Sequence, residues 1–204
     1  GDGAAIAAET GIPVISDLRA LDVALGGQGA PIVPIGDKLL FGEFSYCLNI
    51  GGIANISARS ADKYVSFDIC PANRVLNLLA AKAGKVYDDG GAIAASGNVN
   101  PALLATLNNF PFYGEQYPKS LSNDFGVGVI YPLILQEESR TENALRTYTE
   151  HIALQVTAAV EQIKKNISPE TEPATMLVTG GGAFNTFLIQ SIREQVKQHN
   201  IELL

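Results

Sequence analysis

Tyr46-Cys47-Leu48-Asn49-Ile50-Gly51-Gly52-Ile53-Ala54-Asn55-Ile56-Ser57 is the stretch on which the fold turns. Tyr46, Leu48 and Ile50 alternate with Cys47 and Asn49, the two-residue period of a strand, and a second such run follows the glycine pair. Two strands around Gly-Gly predict a hairpin. A third strand is expected over residues 64–69, after a turn at 60–63. A helix follows, with Pro71 in its first turn and Val75, Leu76, Leu79 and Ala83 as its buried stripe. Further on, Leu145, Tyr148, Ile152, Val156, Ala159 and Ile163 recur at spacings of three and four, one face of a long helix. Ser139 and Glu142 before it carry a capping-box signature. Residues 176–179 read as a buried strand, and Gly180-Gly181-Gly182 turns it into a last helix with Leu188, Ile192 and Val196 on one side.

Three antiparallel strands and a helix, then strand and helix again, is the order of a ribonuclease-H-like α/β lobe, a mixed sheet flanked by helices. The flanking chain is less regular. Residues 4–10 read as a short helix closed by Gly11, and residues 13–15 as a short strand ending at Ser16-Asp17. Residues 18–36 are glycine- and proline-rich, Gly26-Gly27-Gln28-Gly29-Ala30-Pro31 within them reads as a structured loop, and 38–44 reads as a short helix or turn. Residues 84–101 are loop-rich, 102–107 a short helix, and 108–128 aromatic and irregular. The apolar end at Glu202-Leu203-Leu204 has no closing signal and the strand at 13–15 has no partners, so both ends read as cut.

The chain has 204 residues, 47% hydrophobic and 17% charged, which suits a packed core rather than disorder. A net charge of -7 without a basic stripe argues against nucleic acid or an anionic membrane as partner. Cys47 and Cys70 lie in apolar segments and read as buried thiols. His151 and His199 are far apart and give no metal-ligand spacing. His151 lies one residue from the apolar stripe and reads as structural. No basic leader and no run long enough to span a bilayer is present, and the expected compartment is the cytoplasm.

Two glycine loops carry the candidate chemistry. The Gly51-Gly52 hairpin is either an ordinary tight turn or a loop that lets a phosphate approach backbone N–H groups, with Asn49 and Asn55 beside it. It has no lysine and is not a P-loop. Gly180-Gly181-Gly182, followed by Asn185, sits at a strand-to-helix turn where the helix dipole favours anions. Asp17 stands at an expected strand end, open to two readings, a helix-capping aspartate or a general base. Asp68 is likewise a helix cap or a carboxylate facing the same crevice. Arg19 is set to pair with Asp22, and Lys119-Ser120 touches either substrate or solvent.

At these motifs the sequence resembles the anhydro-N-acetylmuramic acid kinase family of the sugar kinase, Hsp70 and actin superfamily. The resemblance rests on Gly1-Asp2-Gly3-Ala4, Asp17-Leu18-Arg19 with Asp22, Gly26-Gly27-Gln28-Gly29-Ala30-Pro31 and Leu48-Asn49-Ile50-Gly51-Gly52-Ile53-Ala54-Asn55. Tyr87-Asp88, Pro118-Lys119-Ser120 and Gly180-Gly181-Gly182 with Asn185 complete it. It implies an actin-like ATPase fold of two lobes around an ATP cleft. Residues 1–44 would end the first lobe and residues 45–204 would form the nucleotide-binding second lobe. The implied reaction adds water across the 1,6-anhydro bond of anhydro-N-acetylmuramic acid and phosphorylates O6 with ATP. The product is N-acetylmuramic acid 6-phosphate, in cell-wall peptidoglycan recycling. Asp17 matches the base on the attacking water. Asn49, Gly51, Gly52, Asn55, Asp68, Gly180, Gly181, Gly182 and Asn185 fall to ATP and phosphate, and Arg19, Gln28 and Lys119 to the sugar. Mg²⁺ would travel with ATP, held largely by phosphates and water. Oligomeric state stays open, a homodimer among the options.

The sequence departs from the family at Ile69-Cys70-Pro71-Ala72-Asn73, where two glycines are replaced, and at Asn77, which stands for a common aspartate. The family's N-terminal phosphate loop and returning C-terminal helix are not found in these 204 residues. The chain therefore reads as a fragment with little activity of its own. The alternative is a non-catalytic actin-like ATP-binding or chaperone-like module, which would bind nucleotide without a sugar-side base.

Overall fold

The computed structural model describes residues 2–27, 29, 32–60, 63–122, 124–167 and 173–204. Three short helices come first, α1 (Gly3–Thr10), α2 (Leu18–Ala24) and α3 (Val33–Leu40). The hairpin then forms β1 (Tyr46–Ile50) and β2 (Ile53–Arg59), followed by β3 (Tyr64–Pro71) and α4 (Asn73–Lys82). Next come α5 (Ala92–Ser96), α6 (Pro101–Asn108) and α7 (Pro111–Gly114). A π-helical turn, Phe125–Ile130, runs into α8 (Tyr131–Glu137). The long helix is α9 (Thr141–Lys164), and β4 (Ala174–Thr179), α10 (Thr186–Lys197) and β5 (Ile201–Leu203) close the chain.

The five strands form one sheet in the order β3-β2-β1-β4-β5. β2 runs antiparallel to β1 and β3, while β4 and β5 run parallel to β1. A parallel return needs a crossover, and the helices between β3 and β4 supply it. This order and these directions make the ribonuclease-H-like lobe expected from the sequence.

Strand alternation divides the sheet into two unlike faces. Tyr46, Leu48, Ile50, Ala54, Ile56, Phe67 and Ile69 join one core with Val75, Leu76 and Leu79 of α4 and the α9 stripe. Each large aliphatic chain buried there contributes about 1.5–3 kcal/mol. On the other face, the register sets Thr179, Asn49, Asn55 and Asp68 side by side across four strands. Asp68 pairs with Asn55 in the same register as the rest of β2 and β3, and the register shifts only beyond it, where Ala54 pairs with Cys70 and Ile69 is the extra residue.

α9 is fastened by polar bonds as well as by its stripe. The Tyr148 hydroxyl donates to the Pro71 carbonyl at 2.8 Å. His151, fully buried, meets Asn108 Oδ1 at 2.7 Å through Nδ1 and the Tyr113 hydroxyl at 3.1 Å through Nε2. Gln155 Nε2 donates to the same Asn108 oxygen at 2.9 Å. An oxygen that takes both bonds leaves Nδ1 as the protonated ring nitrogen, so Nε2 accepts from Tyr113.

Several local expectations are corrected. Residues 13–15 make no strand; they find no pairing partner, and Ile15 is 86% exposed. The glycine- and proline-rich stretch at 18–36 contains α2 and the start of α3, and residues 38–44 divide into the end of α3, at Leu40, and a turn at 42–43. Pro71 is the last residue of β3, not the first of α4, since the chain reaches helical geometry only after Ala72. The capping box does not form: α9 begins at Thr141, and the Glu142 carboxylate takes two bonds from the Arg140 guanidinium instead. α5 lies in the expected loop at 84–101, and α7 and the π-helical turn lie in the irregular stretch. The C-terminal run is β5, a strand of the sheet.

Candidate functional site

The two glycine loops meet at the carboxyl ends of β1 and β4, neighbouring parallel strands. That end of an α/β sheet is where ligand crevices form. Gly182 packs on Ile50, where a Cβ would lie 2.2 Å from Ile50 Cγ2. Gly180 has φ 82°, and its Cβ would meet Asn49 Oδ1 at 2.6 Å and the Ile50 carbonyl at 2.7 Å. Only glycine lets the two loops come this close. Gly181 is not so confined, with Asn73 Nδ2 the nearest atom at 3.5 Å.

The hairpin also grips the start of α4. The Ala72 and Asn73 amides donate to the Gly52 and Gly51 carbonyls at 2.8 and 3.0 Å, and Asn73 Nδ2 donates to the Ile50 carbonyl at 2.9 Å. Above Gly52 there is room: a Cβ would meet nothing nearer than Arg74 at 3.9 Å. Arg74, exposed in the first turn of α4, puts a guanidinium beside this opening. Sequence reading passed over it, although a cation following Asn73 in the helix's first turn was the available signal.

Beside the loops lies a cavity of about 380 Å³, bounded by Asn73, Leu76 and Asn77 of α4, by Tyr87–Gly90 and by Gly181, Phe184 and Asn185. Tyr87 and Phe184 leave their rings largely exposed at it. Its floor is set by caps. The Asp88 carboxylate accepts from the Ile93 and Ala94 amides at 2.8 and 2.9 Å, and Asn185 Oδ1 accepts from Leu188 at 3.0 Å. Thr186 Oγ1 donates to the Gly90 carbonyl at 3.0 Å and ties the two walls together. This arrangement can hold an anionic group against main chain while a flat ring lies between α4 and the loop at Tyr87.

Of the other expected residues, Asn49 and Asn55 stand in the polar row beneath the hairpin. Asp17 precedes α2 with φ 59°, ψ 38°, a left-handed conformation a non-glycine residue seldom takes, and its side chain makes no cap bond. Arg19 and Asp22 both bind Gly29, Arg19 through the carbonyl and Asp22 through the amide at 2.7 Å. Gln28 lies outside the described residues. Arg19 and Gly29 face Ser120, Leu121 and Ser122 across an open hollow. Lys119 does not line that hollow. Its ammonium donates to the Phe112 and Tyr113 carbonyls at 3.1 and 3.4 Å and lies 4.7 Å from the Phe112 ring centre. Burial lowers its pKa, against a smaller opposing pull from Glu115. Asp68 is buried, and burial raises its pKa; the Leu121 amide and the Arg19 charge act the other way. No helix among the described residues is long and apolar enough to cross a membrane.

Comparison with known proteins points to one family. A family model described as anhydro-N-acetylmuramic acid kinase matches residues 1–203. The anhydro-N-acetylmuramic acid kinase of Saccharophagus degradans is 37% identical over 206 residues, covering 97% of this chain and 54% of its own length. That of Vibrio vulnificus is 34% identical over 207 residues, covering 98% and 55%. The chain spans about half the length of the curated relatives it matches. Among solved structures, the activator of the 2-hydroxyisocaproyl-CoA dehydratase from Clostridium difficile with bound ADPNP shares 16% identity at a TM-score of 0.48, over 83% of this chain and 57% of that one. With the match running from its first residue to its last but one, the chain belongs to the anhydro-N-acetylmuramic acid kinase family.

Proposed function

We propose that this chain supplies the nucleotide-binding lobe, residues 45–204, and the end of a sugar-side lobe, residues 1–44, of an ATP-dependent anhydro-N-acetylmuramic acid kinase. The observation that carries this reading is the meeting of the Gly51-Gly52 and Gly180–Gly182 loops beside the cavity at Tyr87 and Phe184. The phosphates lie against the hairpin and near Arg74, and the adenosine lies in the cavity along Gly181 and Asn185. Asn49 and Asn55 stand as a cross-strand pair beneath the hairpin.

Asp17 takes a proton from the water that bonds to C1 as the C1–O6 bond breaks, and the freed O6 takes the γ-phosphoryl group while ADP leaves. The product is N-acetylmuramic acid 6-phosphate, in peptidoglycan recycling within the cytoplasm. The hollow at Arg19 supports a sugar-side role for that residue. Among the described residues no three His, Cys, Asp or Glu side chains cluster to hold a metal. In this reading Mg²⁺ arrives with ATP, and its ligands are phosphate oxygens and water.

Coupled ADP release by the full-length protein, with and without anhydro-N-acetylmuramic acid, tests the reading. Sugar-dependent release together with the 6-phosphate product is expected. Nucleotide binding with no sugar-dependent release would overturn it in favour of an ATP-binding module.

A further inference from the structure

Asp68 is assigned by resemblance to phosphate, but its bonds lead elsewhere. It sits on β3, opposite Asn55, and is 4% exposed. Its amide donates to the Lys119 carbonyl at 3.1 Å, and its carboxylate Oδ2 accepts from the Leu121 amide at 2.9 Å. One residue thus grips both sides of Ser120. The same segment is held from behind by the Lys119 ammonium on the Phe112 and Tyr113 carbonyls. Held this way, Ser120, Leu121 and Ser122 form the wall that faces Arg19, Val23 and Gly29. Taking a carboxylate out of water is costly, and among the described residues this one is compensated by the Leu121 amide and by the field of Arg19. A carboxylate kept there at that cost is accounted for by what it holds in place.

We propose that Asp68 is a positioning residue that fixes the 119–122 loop as the wall opposite Arg19, and that it does not itself bind phosphate. The distinction is one of charge. Asparagine keeps an oxygen for the Leu121 amide; alanine does not. A phosphate or metal role would need the charge, whereas a loop clasp needs only the acceptor.

The kinetic part rests on the kinase reading above; the exchange part does not. In the full-length protein, Asp68→Ala should speed hydrogen exchange at the Leu121 amide by about tenfold or more, and Asp68→Asn should restore most of that protection. With sugar and ATP varied separately, Asp68→Ala should raise KM for the sugar by about tenfold or more while KM for ATP moves less than about twofold, and Asp68→Asn should recover most of the loss. Unchanged exchange at Leu121 in Asp68→Ala would overturn the proposal. So would an asparagine variant as impaired as the alanine one, or a defect confined to KM for ATP. If the wild type shows no sugar-dependent turnover, the kinase reading fails, and the exchange comparison alone decides the role of Asp68.

Discussion

Gly182 lies against Ile50 with no space for a side chain between them, a Cβ there standing 2.2 Å from Ile50 Cγ2. The contact joins the loop after β4 to the end of β1, so the two loops of the proposed nucleotide site share one packing constraint. Ile50 is fully buried and cannot swing aside.

Gly182→Ala should therefore cost about 1–3 kcal/mol, the range for overpacking a filled site. Gly181→Ala, whose methyl meets only Asn73 Nδ2 at 3.5 Å, should cost under about 0.5 kcal/mol. Urea denaturation of the two variants gives the comparison. Equal losses would show that the loops are not locked through Ile50.

His151 should make the fold acid-sensitive. Burial lowers its pKa to about 3, against about 6.5 in the unfolded chain. The unfolded state then binds the proton first as pH falls, so stability is full above about 6.5 and declines toward about 3, by up to about 1.4 kcal/mol per pH unit. Asp37 and Asp68, whose pKa values burial raises, bind protons more readily when folded and partly offset the loss. His151→Gln, measured by urea denaturation between pH 7 and 4, should show a shallower decline than wild type. An unchanged slope would rule out His151 as the source.

Asp17 should trade stability for chemistry. Its φ of 59° is left-handed backbone that glycine adopts freely. Asp17→Gly should leave stability unchanged or raise it by up to about 1 kcal/mol, while ending sugar-dependent ADP release in the full-length protein. Asp17→Asn should keep the fold and lose both ring opening and phosphorylation. Retained turnover in either variant would remove the general base from the mechanism.

Much of the fold was legible because it is written in local period. The alternation around Gly51-Gly52 and the spacing from Leu145 to Ile163 give the strands and α9 directly. Where the period is short or absent the reading failed. Residues 13–15 look strand-like, but a strand exists only with a partner, and none pairs there. The three residues of β5 are too few to show a period and become a strand only beside β4.

The sequence by itself determined the glycine loops, the apolar stripes and the family, since all are carried by residue type and spacing. Tertiary structure decided which polar groups meet. The register alone sets Asp68 in line with Asn55 and Asn49, and packing alone turns its carboxylate to Leu121, 53 positions away. It also sent Lys119 under the Phe112 ring and away from Arg19, and brought Arg74 to Gly52. The physical reason is that a hydrogen bond or a buried charge depends on distance and surroundings in space, and neither is encoded in the identity of the residue that carries it.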